Sequence, residues 1–142
     1  MPSWAKILKR IEEQDTGKAP PHVTALNLYA GQLKILAPGH IMFTWPVDQQ
    51  YMNPAAVFGG YLATLADQTC SFALMSDLDD NQNFTTSDLQ MHFFRPVTKG
   101  ILSCEGRVIN KSRNQAYVEA SFILEDGKIA LKAHAIEKII PA

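Results

Sequence analysis

The chain has 142 residues, 46% of them apolar, and its 13 Lys and Arg against 14 Asp and Glu give a net charge of −1. That length suits one domain with a real core, the apolar share argues against disorder, and the near-neutral charge leaves no electrostatic case for a nucleic-acid binder. No apolar run approaches the ~20 residues needed to cross a bilayer, and Ser3 to Arg10 lacks the continuous apolar segment of a signal peptide. A reducing cytoplasm is therefore the expected location. Four scattered histidines show no metal-ligand spacing, and Cys70 and Cys104 read as small buried residues rather than a disulfide.

In chain order, Ser3 caps a short amphipathic helix whose apolar stripe is Trp4, Ile7, Leu8 and Ile11, with Gly17 and Pro20-Pro21 ending it. It is expected to pack over a sheet edge. Residues 33–37 and 41–47 read as two strands joined by the Pro38-Gly39 turn, and 48–56 as a loop carrying Asn53-Pro54.

From Tyr61 to Met75 the residues are mostly good helix formers or small, with Leu62, Leu65, Ala66, Thr69, Cys70, Ala73 and Leu74 at three- and four-residue spacings. This helix should be almost swallowed by its surroundings. Asp67 stands in its middle, where a buried, unpaired carboxylate needs a partner, a cavity or a chemical role. The two glycines Gly59-Gly60 let a ligand or another backbone approach the free N–H groups at the helix start.

Residues 77–83 read as a polar break. Four strands of period two follow, with Leu89, Met91 and Phe93, then Leu102, Cys104 and Val108, then Ala116 to Leu124, then Ile129 to Ala135 on their apolar faces. Short turns at Thr98-Lys99-Gly100, Lys111 to Asn114 and Asp126-Gly127 are expected to make consecutive strands antiparallel neighbours. No repeat or second domain is visible: residues 1–142 form one domain, of which 1–20 are an N-terminal helix and linker.

The order strand–strand–helix–four strands, Gly59-Gly60 opening the helix, Ala63 to Asp67 two turns on, and Leu89 to Pro96 followed by Gly100 resemble PaaI-like acyl-CoA thioesterases of the 4-hydroxybenzoyl-CoA thioesterase superfamily. The resemblance covers roughly residues 33 to 138. It implies an α+β hotdog fold, an antiparallel sheet of about six strands wrapped around one long helix. Phe58 stands where that family usually has histidine, and Asn53 lies one residue nearer the glycines than the family's loop asparagine. The Phe-Gly-Gly form is also similar to the glycine pair of TesB-type thioesterases, whose catalytic set differs.

Thioester hydrolysis needs a carboxylate to attack the carbonyl or activate water, and donors for the oxyanion. By the resemblance Asp67 supplies the first, Gly59 and Gly60 the second, and Thr86 a hydroxyl that orients the carboxylate or water. Ser87 is its neighbour, Asn53 is the counterpart of the family's loop asparagine on the substrate side, Phe58 is expected at the dimer seam or on the floor of the acyl pocket, and Lys111, Ser112, Arg113 and Asn114, helped by Arg95, are expected to bind the phosphates of coenzyme A. Phe58, Tyr61, Phe84 and Met91 suit a small aryl or medium-chain acyl group. No separate cofactor is expected, since coenzyme A belongs to the substrate. Gly59 and Asp67, eight residues apart on one helix, are ~12 Å apart at 1.5 Å per residue. One carbonyl carbon does not reach both, so catalysis demands a homodimer, or a dimer of dimers, with sites shared between chains.

Each role has a plainer competitor. Asp67 also reads as a structural aspartate bonded to a neighbouring hydroxyl, the glycine pair as a packing device, Thr86 as an ordinary strand residue, and Lys111 with Arg113 as a solvated turn. Phe58 in place of histidine favours a non-catalytic acyl-CoA binding protein on the same fold. A hotdog dehydratase ranks last, because no histidine lies in or just before the helix.

Overall fold

A computed structural model describes residues 3–15, 17 and 19–142; of the N-terminal segment, Met1, Pro2, Thr16 and Lys18 lie outside the described residues. The elements run α1 (Trp4–Glu12), α2 (Pro21–Ala25), β1 (Gln32–Ala37), β2 (His40–Pro46), a single 3-10 turn (Gln49–Tyr51), α3 (Gly59–Met75), β3 (Gln82–Phe93), β4 (Ile101–Lys111), β5 (Gln115–Ile123) and β6 (Ile129–Pro141). All six strands join one sheet, antiparallel at each pairing, in the order β1-β2-β4-β5-β6-β3. This is the architecture that the resemblance implies.

The period-two faces build the core. Leu102, Cys104, Ala116, Val118, Ala120, Phe122, Leu131, Ala133 and Ala135 are all buried under α3. Their small size makes the concavity into which a helix fits. Helix and sheet approach closely at Gly106 on β4, where a Cβ would lie 2.8 Å from the Thr69 carbonyl oxygen and 3.1 Å from Ala73 Cβ. Gly106→Ala should therefore push α3 off the sheet and lower stability by ~1–3 kcal/mol, read as a drop in the thermal midpoint. An unchanged midpoint would contradict this packing. Cys70 and Cys104 are both buried free thiols, and burial pushes both far up in pKa.

Three expectations need correction. The first helix stops at Glu12, before Gly17 and the proline pair: Gln14 just beyond it adopts φ 61°, and Pro21 opens α2 at the position where a missing N–H costs nothing. The polar break is shorter than residues 77–83, because Gln82 and Asn83 already pair with Pro141 and Ile140. And β3 and β4 are not neighbours. The turn at Thr98 to Gly100 closes a crossing from Phe94 to Gly100 that runs over the start of α3, where Val57 N–H donates to the Val97 carbonyl at 2.9 Å. Seven residues with Pro96 among them span the sheet end, where a two-residue loop would have made a hairpin.

The two sheet edges are treated differently. At β1, α1 packs alongside as expected, and Glu12 Oε2 accepts from the Ile35 N–H at 2.8 Å, capping an edge donor. Trp4 reaches the start of β3, donating to the Gln82 carbonyl at 2.8 Å and packing on Phe84. Beyond that point β3 is bare. Thr85 to Asp88, Gln90, His92 and Phe93 are exposed; of the expected apolar face, Leu89 and Met91 are half-buried against the margin of the core and only Phe93 lies outside it. The physical reason is reach: α3 rests on β2, β4, β5 and β6, and β3 stands beyond it, tied to the sheet only through β6.

Candidate active site

α3 is buried on most sides, yet one stripe stays open or half-open: Gly60, Ala63, Thr64, Asp67 and Ser71, three to four residues apart. Asp67 is thus exposed, not buried. The helix side it occupies is the one facing the displaced β3, which no strand covers. Its place there removes the desolvation argument made from sequence and leaves the carboxylate available to solvent and ligand.

What positions a partner for Asp67 is a bulge. The β3–β6 register passes from Thr86 opposite Glu137 to Asp88 opposite Ile136, so Ser87 is an extra residue on β3. A bulge of this kind bends the strand and re-aims its side chains. Thr86 Oγ1 consequently lies 3.2 Å from Asp67 Oδ1 and 2.9 Å from Glu137 Oε2. Ser87 Oγ donates instead to the Ile136 carbonyl at 3.1 Å.

The helix tip makes a second cluster. Phe58 is the N-cap residue with no capping side chain, and its carbonyl accepts from the Tyr61 and Leu62 N–H groups. The N–H groups of Gly59 and Gly60, first in the helix, have no carbonyl a turn earlier to bond and sit at an exposed, partially positive end. Beside them is an open cavity of about 370 Å³, lined by Val57, Gly59, Leu62, Phe93, Phe94 and Arg95 among others. Arg95 is fixed there by donation from Nη1 to the Ile129 carbonyl at 2.8 Å. Phe58, Phe93 and Phe94 are 45%, 53% and 59% exposed, an unusual concentration of bare aromatic surface.

The remaining sequence candidates fall elsewhere. Asn53 Oδ1 accepts from the Ala55 and Ala56 N–H groups, both at 2.9 Å, shaping the loop that leads into α3. Lys111 is tied to Asp77 just past the far end of α3, with Nζ 3.1 Å from the carboxylate. Ser112 bonds to the Gln115 carbonyl, the Asn114 carbonyl accepts from Ile139 N–H, and Arg113 is exposed. This basic turn is therefore at the opposite end of the helix from the glycines. Tyr61 is core, stacked on Tyr51 and donating to the Leu26 carbonyl at 2.7 Å, and Phe84 packs on Trp4, so neither lines the cavity. Sequence reasoning missed Phe93 and Phe94 as cavity walls, and it missed Glu137. That glutamate continues the inward phase of Leu131, Ala133 and Ala135, a signal legible had the alternation been followed two residues further.

A long helix packed on a six-stranded antiparallel sheet of this order is the architecture of the hotdog fold. Residues 55–131 match the family model described as Thioesterase superfamily, more than half of the chain, and the chain belongs to that family. A protein of Saccharolobus solfataricus named as a candidate esterase is 28% identical over 99 residues, covering 69% of this chain and 70% of that protein. The crystal structure of a thioesterase from Haemophilus influenzae superposes with a TM-score of 0.79 at 22% identity, covering 94% of this chain and 90% of that one. A hypothetical thioesterase protein of Streptococcus pneumoniae, solved with coenzyme A, superposes with a TM-score of 0.72 at 18% identity, covering 78% and 86% of the two chains. Among the described residues, no helix is long and apolar enough to cross a membrane.

Proposed function

We propose that this chain is an acyl-CoA thioesterase whose active site is shared between two copies. Asp67 of one copy attacks the thioester carbonyl or takes a proton from the attacking water, and Gly59, seconded by Gly60, of the other copy donates N–H groups to the oxyanion. Thr86 holds Oδ1 of Asp67 and leaves Oδ2 for the reacting partner. The observation that carries this reading is the Thr86–Asp67 hydrogen bond on the uncovered stripe of α3, ~12 Å along the same helix from the bare N–H groups. A carbonyl in contact with one is out of reach of the other within a single chain.

Support for a second copy comes from the contrast between the sheet edges. β1 is capped by Glu12 and covered by α1, whereas β3 is met by α1 only at its start, through Trp4, and is open from Thr85 onward, and an open edge of that length invites pairing with its own symmetry mate. A two-fold axis beside β3 sets the two α3 helices head to tail, so the Arg113 turn of one copy approaches the glycine tip of the other. The phosphates of coenzyme A would then lie by Arg113 and Lys111, and the acyl group by Val57, Leu62, Phe93 and Phe94. The coenzyme A in the pneumococcal relative agrees with this ligand class. The volume beside the tip suits a medium-chain or small aryl acyl group.

A panel of acyl-CoA thioesters incubated with the purified chain, followed by free-thiol detection, tests the reading; steady turnover of at least one member is expected. Phe58, exposed at the tip where the family usually has histidine, favours one alternative, a protein that binds acyl-CoA without cleaving it. Saturable binding with no thiol released across the panel would decide for that alternative.

A further inference from the structure

Glu137 is entirely buried, and its Oε1 has no hydrogen-bond partner. Its other oxygen is 2.9 Å from Thr86 Oγ1, which is itself 3.2 Å from Asp67 Oδ1. A threonine hydroxyl carries one hydrogen. It can satisfy one carboxylate; between it and the second there would be two oxygen lone pairs and no proton. Both contacts are hydrogen bonds only if one of the two carboxyls is itself a donor. Asp67 is exposed to water and Glu137 is sealed among apolar residues, so the proton belongs on Glu137.

We propose that Glu137 is a positioning residue for Asp67: as a neutral acid it donates to Thr86 Oγ1 and so directs the single hydroxyl hydrogen of Thr86 onto Asp67 Oδ1. On ionisation it becomes a competing acceptor at the shorter distance, draws that hydrogen away, and leaves Asp67 without its orienting bond. The inference rests on the thioesterase reading for Asp67. Beyond the Thr86 hydroxyl, the surroundings offer an ionised Glu137 no hydrogen-bond donor. Its partner on β5 is Ala116, its neighbours in phase on β6 are Ala135 and Ile139, β3 contributes Thr86, and of the titratable groups on α3 those that act on it are Asp67 and the neutral thiol of Cys70, Tyr61 lying two turns away toward the helix start. Desolvation first, and then the charge of Asp67, hold its pKa above the ordinary glutamate range against the opposing hydrogen bond from Thr86.

The stability consequence has a definite sign. The folded chain keeps the Glu137 proton to higher pH than the unfolded chain does. Stability is therefore lost as pH rises from ~4.3, where an unfolded glutamate ionises, up to the raised folded value, and the loss is constant above it. Glu137→Gln, which cannot ionise, should gain in thermal midpoint relative to the wild type across that window.

The deciding experiment is the pH profile of kcat and KM for wild type and Glu137→Gln, with infrared detection of the protonated carboxyl alongside. The wild type should show kcat falling about tenfold or more on the alkaline side with KM nearly constant. A carboxylic-acid band should titrate away over the same range. Glu137→Gln, whose amide still donates to Thr86, should keep a near-wild-type maximum, lose the alkaline fall and lack the band. Glu137→Leu, which offers no acceptor to compete, should lose the fall as well, and guards against a peculiarity of the amide. A purely structural glutamate would move the thermal midpoint and leave the profile in place. Identical profiles in wild type and variants, or no protonated carboxyl at neutral pH, overturn the proposal while leaving the thioesterase reading standing. No wild-type turnover on any acyl-CoA overturns that reading instead, and this proposal with it.

Discussion

Asp67→Asn is expected to lower kcat for acyl-CoA hydrolysis by ~10²–10⁴-fold while the protein folds as before. The asparagine oxygen still accepts from Thr86, so the side chain keeps its place, but it neither takes a proton nor attacks a carbonyl. Because Asp67 sits on the exposed stripe of α3 and holds no core contact together, the thermal midpoint should shift only slightly, equivalent to ~0.5 kcal/mol or less. This separation of activity from stability is the useful part. A structural aspartate would behave the opposite way, with activity following the fraction folded. Thiol release at the wild-type rate from Asp67→Asn would remove Asp67 from the chemistry.

Gly59→Pro should cost ~10²–10³ in kcat by removing one oxyanion donor and little else. Gly59 is the first residue of α3, the helix position where proline is best tolerated, and Phe58 before it has φ −69° and ψ 147°, the extended conformation that a following proline requires. A Cβ at Gly59 would meet the Phe93 ring at 3.5 Å, an ordinary contact. The helix is therefore retained and the N–H is lost. Gly59→Ala, which restores the N–H with the same Cβ, should recover most of the activity. Circular dichroism and the thermal midpoint check folding in both. If Gly59→Pro hydrolyses thioesters like the wild type, the glycine pair serves packing alone.

Much of this fold was legible because its signals are local. Period-two alternation in β4, β5 and β6, turn residues between them, and an apolar helix with glycines at its start are each contained in a dozen residues. The element order follows from them directly. Sheet order was less legible. Whether β3 pairs with β4 or with β6 depends on the crossing from Phe94 to Gly100, and nothing in those residues states which strand lies across the sheet end. The largest error about the site, a buried Asp67, had another source: the open stripe of α3 is otherwise made of small residues, Gly60, Ala63, Thr64 and Ser71, which look no different from the buried face. The Thr86–Asp67 pairing was anticipated from the family's polar residue, but the bulge at Ser87 that aims Thr86 is a register property and left no trace in the residue types. Glu137 was overlooked for a different reason: a carboxylate at an inward position reads as the end of a strand, and β6 runs on to Pro141.

The shared site is tested most directly by mixing two inactive variants. Asp67→Asn keeps its helix tip and Gly59→Pro keeps its carboxylate. Unfolded together and refolded, the two chains should combine at random, half of the dimers being mixed and each mixed dimer holding one intact site, which restores about a quarter of wild-type activity. A mixture no more active than its separate components, or a protein that light scattering finds as a single copy, would contradict a site built from two chains.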